Sequence, residues 1–193
     1  MSKPPFKLKQ RKTACENSLF TVFFDHLVDA DRTLVEDYLV VEPKLKNENG
    51  ISGVAILPVI DNRIGLVNVY RHAVAEYGWE VPRGFIDKNE TARDAAKREL
   101  QEETGLICKM EDLEKLATIS PEPGIISAKI ILYKANVKNS ESIERENELG
   151  HFGFDWFYEE EVHELIKNNQ LHDAMTFIAI HQFTGQLWIY SDE

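Results

Sequence analysis

The stretch GFIDKNETARDAAKRELQEETGL, residues 84–106, decides how the rest of the chain is read. In a helix turning by about 100° per residue, Glu99, Glu102 and Glu103 fall within an arc of about 100° on one face. Three carboxylates so placed repel one another, and a helix built only for solubility would set lysines at four-residue offsets instead. The pattern calls for a cation among them. Oxygen donors with no histidine or cysteine nearby in the stretch suit a hard ion, Mg²⁺ or Mn²⁺, better than zinc. Mg²⁺ keeps waters and shares its shell with phosphates, so a phosphate-bearing substrate is expected. Arg98 stands directly before Glu99 and is placed to reach a carboxylate and fix its orientation. Ala92, Ala95 and Ala96 keep the inner side of the helix small, Gly84 reads as a turn residue, and Gly105 reads as the residue that ends the helix.

A solvated, charged helix is the ordinary reading of a glutamate-rich run. Here, however, Gly84, Glu90, Arg98, Glu99, Leu100, Glu102, Glu103, Gly105 and Leu106 occupy every defined place of G-x5-E-x7-R-E-U-x-E-E-x-G-U with U aliphatic. The stretch therefore resembles the Nudix box. The resemblance implies a Nudix-type α/β/α sandwich with mixed β-sheets, of the α+β class. It also implies that Glu99 and Glu103, with Glu102 assisting, hold two to three Mg²⁺ (or Mn²⁺) ions. Glu90 would support them from the helix entry, and the backbone at Arg83 and Gly84 would complete the shell.

Three further features resemble the ADP-ribose pyrophosphatase branch of that family. Pro121 lies sixteen residues beyond Gly105, Val69-Tyr70-Arg71 resembles a strand ending whose arginine contacts substrate, and Gln170-Leu171-His172-Asp173-Ala174 resembles the C-terminal pattern. Two departures stand beside them. Arg83 occupies a place where alanine is usual and adds a cation near the phosphates, and Ala128 stands where a glutamate often follows the proline loop. In the resembling branch the general base lies on an acidic loop before the last strand. This chain offers Glu144, Glu146 and Glu148 there, and alignment back from Asp173-Ala174 selects Glu148, with Glu146 second. Arg71 and an aromatic residue of the N-terminal arm, Phe20 or Phe24, are the expected clamp on phosphate and adenine. The resemblance implies Mg-dependent hydrolysis of a nucleoside diphosphate linked to another moiety, such as ADP-ribose, to AMP and ribose 5-phosphate. Another nucleotide sugar, a dinucleoside polyphosphate, a coenzyme, or a non-catalytic ADP-ribose sensor are the alternatives.

Composition sets the outer bounds. A chain of 193 residues with 43% hydrophobic content can bury a full core. The formal charge of −11 argues against a nucleic-acid duplex or an anionic membrane as partner, since each demands a basic footprint. Cys15 and Cys108 show no metal-finger spacing and read as reduced thiols. Residues 1–18, basic and polar without an apolar segment behind them, read as a loose leader with no signal or membrane span, and a cytoplasmic protein is expected.

The remaining chain reads as a succession of strands closed by helices. Leu19–Phe24 and Thr33–Val41 suggest a β-hairpin joined through Asp29–Asp31. With the leader it makes an arm over residues 1–50, similar to the swapped hairpin by which the resembling branch forms a homodimer. Residues 51–193 form the expected hydrolase domain. Its strands are Ile51–Ile60, Ile64–Tyr70, Leu113–Ile119, Ile125–Val137 and Phe152–Phe157, with a mobile acidic loop over Asn139–Leu149. Helices are expected over Glu159–Asn168, burying Val162, Leu165 and Ile166, and over Asp173–Phe183, burying Phe177 and Ile178. Trp79 reads either as pocket wall or as core.

Overall fold

The computed structural model describes residues 4–29, 34–138 and 149–185. Strands β1 (Phe6–Glu16), β2 (Phe20–Asp29) and β3 (Leu34–Pro43) form an antiparallel sheet with β2 in the middle. The arm is thus three-stranded rather than a hairpin, and the expected leader contains a full strand. Every residue of β1 is exposed, so no apolar alternation marks it in the sequence. Pairing with β2 holds it, together with the ion pair from the Arg11 guanidinium to the buried Asp25 carboxylate at 2.8 Å. The turn expected at Asp29–Asp31 lies largely outside the described residues.

Among the described residues, seven strands make the central sheet: β4 (Ile51–Ile60), β5 (Arg63–Arg71), β6 (Glu76–Glu80), β7 (Arg83–Phe85), β8 (Leu113–Ile119), β9 (Lys129–Asn136) and β10 (His151–Phe157). Their order is β10-β5-β4-β9-β8, with β6 beside β5 and β7 beside β4. The β4–β9 pair is parallel and the others antiparallel, so the sheet is mixed. Strand β9 begins four residues later than the apolar run from Ile125 suggests. Ile125 and Ser127 instead exchange backbone hydrogen bonds of 2.9 Å with Val41, which docks the arm onto the body.

β4 carries the core. Its side chains alternate between two apolar clusters, so a nearly continuous apolar strand is buried on both faces. Val54 and Ile56 pack with Ala95, Ala96 and Leu100 of helix α1 (Ala92–Thr104). Ala55, Leu57 and Val59 pack with Val162 and Leu165 of α2 (Glu159–Lys167) and Ala179 and Ile180 of α3 (Ala174–Thr184). The buried positions of α3 are Thr176, Ala179 and Ile180, while Phe177 and Ile178, expected inside, are half-buried on its flanks. Trp79 belongs to this second cluster, edge-on to Phe157 at 4.8 Å, and is core rather than pocket wall. Cys15 is exposed and Cys108 buried, and neither is in a disulfide. No helix among the described residues is long and apolar enough to cross a membrane.

The sheet opens at one place. β4 and β5 pair at Val59–Ile64 and Ile60–Arg63, across a tight turn in which Asp61 and Asn62 both take positive φ. Beyond it β5 pairs with β6 and β4 with β7, and Val81-Pro82 links the two short strands. The acidic helix follows directly from this split.

Candidate active site

Helix α1 is fixed at both ends by local chemistry. The Thr91 hydroxyl accepts the Asp94 N–H at 3.2 Å as N-cap, and Gly105, at φ 74°, closes the other end by donating to the Gln101 carbonyl at 2.8 Å. Ala95, Ala96 and Leu100 seat the helix on β4 and β7, which leaves Glu99 and Glu103 on the inward edge, each only 8% exposed.

Two glycines permit this depth. A Cβ on Gly84 would stand 2.0 Å from the Glu99 carboxyl carbon, and one on Gly53 would stand 2.7 Å from the Gly84 carbonyl oxygen. The Glu99 carboxylate lies against the bare backbone of β7, and β7 lies equally close to β4.

Arg98 is the cation among the acids. Its Nη1 donates to Glu99 Oε1 at 2.7 Å and Glu102 Oε2 at 2.9 Å, while Nε and Nη2 each reach the Glu90 carboxylate at 3.0 Å. Nη2 also donates to the Phe85 carbonyl at 2.9 Å, tying the cluster to β7. The bonds from Arg98 hold the Glu90 carboxyl below the usual carboxylate range, against the opposing effect of partial burial. Glu90 and then Glu99 and Glu102 drive the guanidinium pKa higher still, so Arg98 is permanently charged. Glu103 turns away from Arg98: its Oε2 accepts the Arg83 N–H at 3.2 Å, and its Oε1 lies 3.9 Å from His151 Nε2.

Arg98, Glu99, Glu102, Glu103 and His151 line a cleft of about 730 Å³, while Glu90 stands behind Arg98 outside it. Phe20, half-buried and edge-on to Phe85 at 5.7 Å, brings the arm into its wall. Phe24 is 39% exposed and does not line it: it shares the Phe20 face of β2 but stands four residues farther along the strand, beyond the reach of the cleft. Arg71 lines the cleft and grips the buried Glu80 through Nε at 3.1 Å and Nη2 at 2.7 Å. Arg83 does not extend its charge toward the acidic face. Its guanidinium binds Glu80, and Asp173 at 2.8 Å. Pro121 and Ala128 contribute apolar wall. Glu144, Glu146 and Glu148 lie outside the described residues.

Sequence reasoning missed Glu80 and His151. Glu80 had a signal, an acid enclosed by Trp79 and Val81, since a charge in an apolar strand requires a buried partner. His151 had none. Among the described residues no three His, Cys, Asp or Glu side chains converge as a finished metal cage. The donor chemistry nevertheless fits a hard divalent cation: two buried carboxylates and a third, partly exposed one share a cleft, beside a glycine backbone with no side chain of its own.

Comparison with known proteins agrees with this geometry. The NUDIX domain family model matches residues 51–177. The chain is 32% identical to the methanol dehydrogenase activator of Bacillus methanolicus over 134 residues, 66% of this chain and 69% of that one. It is 30% identical to the ADP-ribose pyrophosphatase of Bacillus subtilis over 131 residues, with the same coverage of each. Its match to the ADP compounds hydrolase NudE of Escherichia coli, 33% identical, spans only 47% of this chain and 48% of that one. A crystal structure of an ADP compounds hydrolase superposes with a TM-score of 0.77 over 96% of this chain and 95% of its own, at 22% identity, a likeness of fold. With the family model spanning the split sheet, the acidic helix and the start of α3, the chain belongs to the NUDIX domain family and is a Nudix pyrophosphohydrolase.

Proposed function

We propose that the cleft hydrolyses the diphosphate bond of a nucleoside diphosphate linked to a second moiety, with ADP-ribose giving AMP and ribose 5-phosphate. The observation that carries this reading is one cleft in which buried Glu99 and Glu103 face a bare glycine backbone while Arg71 and Phe20 line the wall. Glu99, Glu103 and Glu102 hold Mg²⁺ or Mn²⁺, two to three ions, with the backbone carbonyl at Arg83 and Gly84. Bound there, the ions supply charge neutralisation on the diphosphate and acidify a water. Glu90 serves through Arg98, which orients Glu99 and Glu102. Arg71 holds a phosphate oxygen and Phe20 stacks on the base, roles that a cation and a ring at the cleft wall are suited to. Glu148, with Glu146 as second candidate, takes the proton of the attacking water, since the α1 glutamates are committed to the cations.

The arm of residues 1–50 is the dimerisation element of a homodimer. Phe6, Leu8 and Val35 are exposed on it, Leu8 and Val35 both beside Leu27, an apolar surface that a second copy would cover. The protein is cytoplasmic in this reading, with a small nucleotide as its partner and neither nucleic acid nor membrane.

Product analysis with ADP-ribose and a panel of nucleotide sugars and dinucleoside polyphosphates, with and without Mg²⁺, tests the proposal. Equimolar AMP and ribose 5-phosphate, appearing only with the cation, is the expected result. Turnover confined to another compound would reassign the substrate, and tight ADP-ribose binding with no turnover under any divalent ion would make the chain a sensor.

A further inference from the structure

A closed ring of polar contacts runs behind the cleft. The Val81 N–H donates to Thr176 Oγ1 at 3.0 Å, and the Thr176 hydroxyl donates to Asp173 Oδ2 at 2.8 Å. Asp173 Oδ1 accepts Arg83 Nη1 at 2.8 Å, and the same guanidinium binds Glu80. Glu80 is 2% exposed and is held by two arginines, Arg71 and Arg83. The ring joins residues 80–83, the link across the split sheet, to the first turn of α3. Arg83 sits at the junction: its side chain is in the ring, and its N–H is on Glu103.

We infer that Asp173 and Arg83 form a positioning clasp, through which the N-terminus of α3 sets the orientation of the Arg83 peptide and hence of Glu103. Neither side chain touches substrate in this role. The inference deepens the diphosphatase reading and rests on it. Burial works to raise the Asp173 pKa, but the Arg83 charge and the bonds from Arg83 and Thr176 outweigh it, and the carboxyl stays below its usual range, as a committed ion-pair partner should. An alanine at position 83 would strip Asp173 of its hydrogen-bonded guanidinium, leaving only the more distant charge of Arg71. A lysine would keep the charge but could not span Glu80 and Asp173 with one planar fork.

The experiment is a double-mutant cycle of Arg83→Lys and Asp173→Asn, chosen because an asparagine oxygen still caps the Thr176 N–H. Mn²⁺ affinity is read by electron paramagnetic resonance, and kcat and KM are read with ADP-ribose. Each single variant is expected to weaken Mn²⁺ binding and lower kcat by about 10-fold, with KM changed by less than about 2-fold. The double variant should be no worse than either single, because both cut the same link. Wild-type Mn²⁺ affinity in the single variants, or losses that multiply in the double, would overturn the clasp. If the wild-type chain fails to hydrolyse ADP-ribose, that result counts against the substrate reading alone, and the Mn²⁺ cycle decides the clasp by itself.

Discussion

Replacing Gly84 with alanine should cripple catalysis while sparing the fold. The added Cβ would meet Glu99 Cδ and Oε1 at 2.0 Å and Oε2 at 2.2 Å. Non-bonded carbon atoms settle at about 3.5 Å or more, so something must retreat by about 1.5 Å. The backbone of β7 cannot, because it is paired with β4 through Gly53, Val54 and Ala55 and its carbonyl already abuts Gly53. What can yield is the end of the Glu99 side chain. Gly84 is not in the left-handed region, so alanine brings no backbone strain. The stability cost then sits at the low end for overpacking, about 1 kcal/mol, or roughly 2–4 °C in Tm for a chain of this size. A displacement of about 1 Å at a reacting site costs on the order of 10²-fold in rate. The expected result is therefore a folded protein, by scanning fluorimetry, whose kcat/KM for ADP-ribose falls about 100-fold and whose Mn²⁺ affinity falls with it. Turnover within about 3-fold of wild type would refute the reasoning. So would a variant that fails to fold, because the scaffold rather than the carboxylate would then have yielded.

Arg98→Lys keeps the charge but not the fork that reaches Glu90, Glu99, Glu102 and the Phe85 carbonyl together, so kcat should fall about 10- to 100-fold in steady-state assays. Glu148→Gln should lower kcat by about 10²–10⁴ while leaving Mn²⁺ binding intact, and near-normal turnover would remove Glu148 from the proton transfer. The acid limb of stability should report Glu90 and Asp173. Both carboxyls titrate lower in the folded protein than in the unfolded chain, so their stabilisation is complete above the ordinary carboxylate range and drains away as pH falls through it, below about pH 4. Urea titrations from pH 3 to pH 7 should show a shallower acid loss in Asp173→Asn than in wild type.

The parts of this molecule that the sequence makes legible are those set by local spacing. The boundaries of α1 follow from Thr91 and Gly105, and the buried strand β4 follows from ten residues that are apolar or small. β1 escaped notice because its residues stay exposed and its strand conformation comes from its neighbour, which no window of its own sequence contains. Ile125 and Ile126 misled in the opposite sense: apolar and β-branched, they are diverted from β9 into pairing with Val41, a residue more than eighty positions away. The candidate site divides the same way. Glu90, Arg98, Glu99, Glu102 and Glu103 lie within one segment, and their mutual geometry is largely helical geometry. The Arg83 side chain faces Glu80 and Asp173 because α3 returns to the split in the sheet, a tertiary event that its neighbours in sequence do not announce.

Arg98 gives the acidic helix a resident counter-ion. Its guanidinium offsets part of the repulsion among Glu90, Glu99 and Glu102 within the chain itself. Under the metal-dependent reading proposed above, loading an ion would be an exchange of partners at Arg98, and a cell short of divalent ions would hold the protein idle until supply returned.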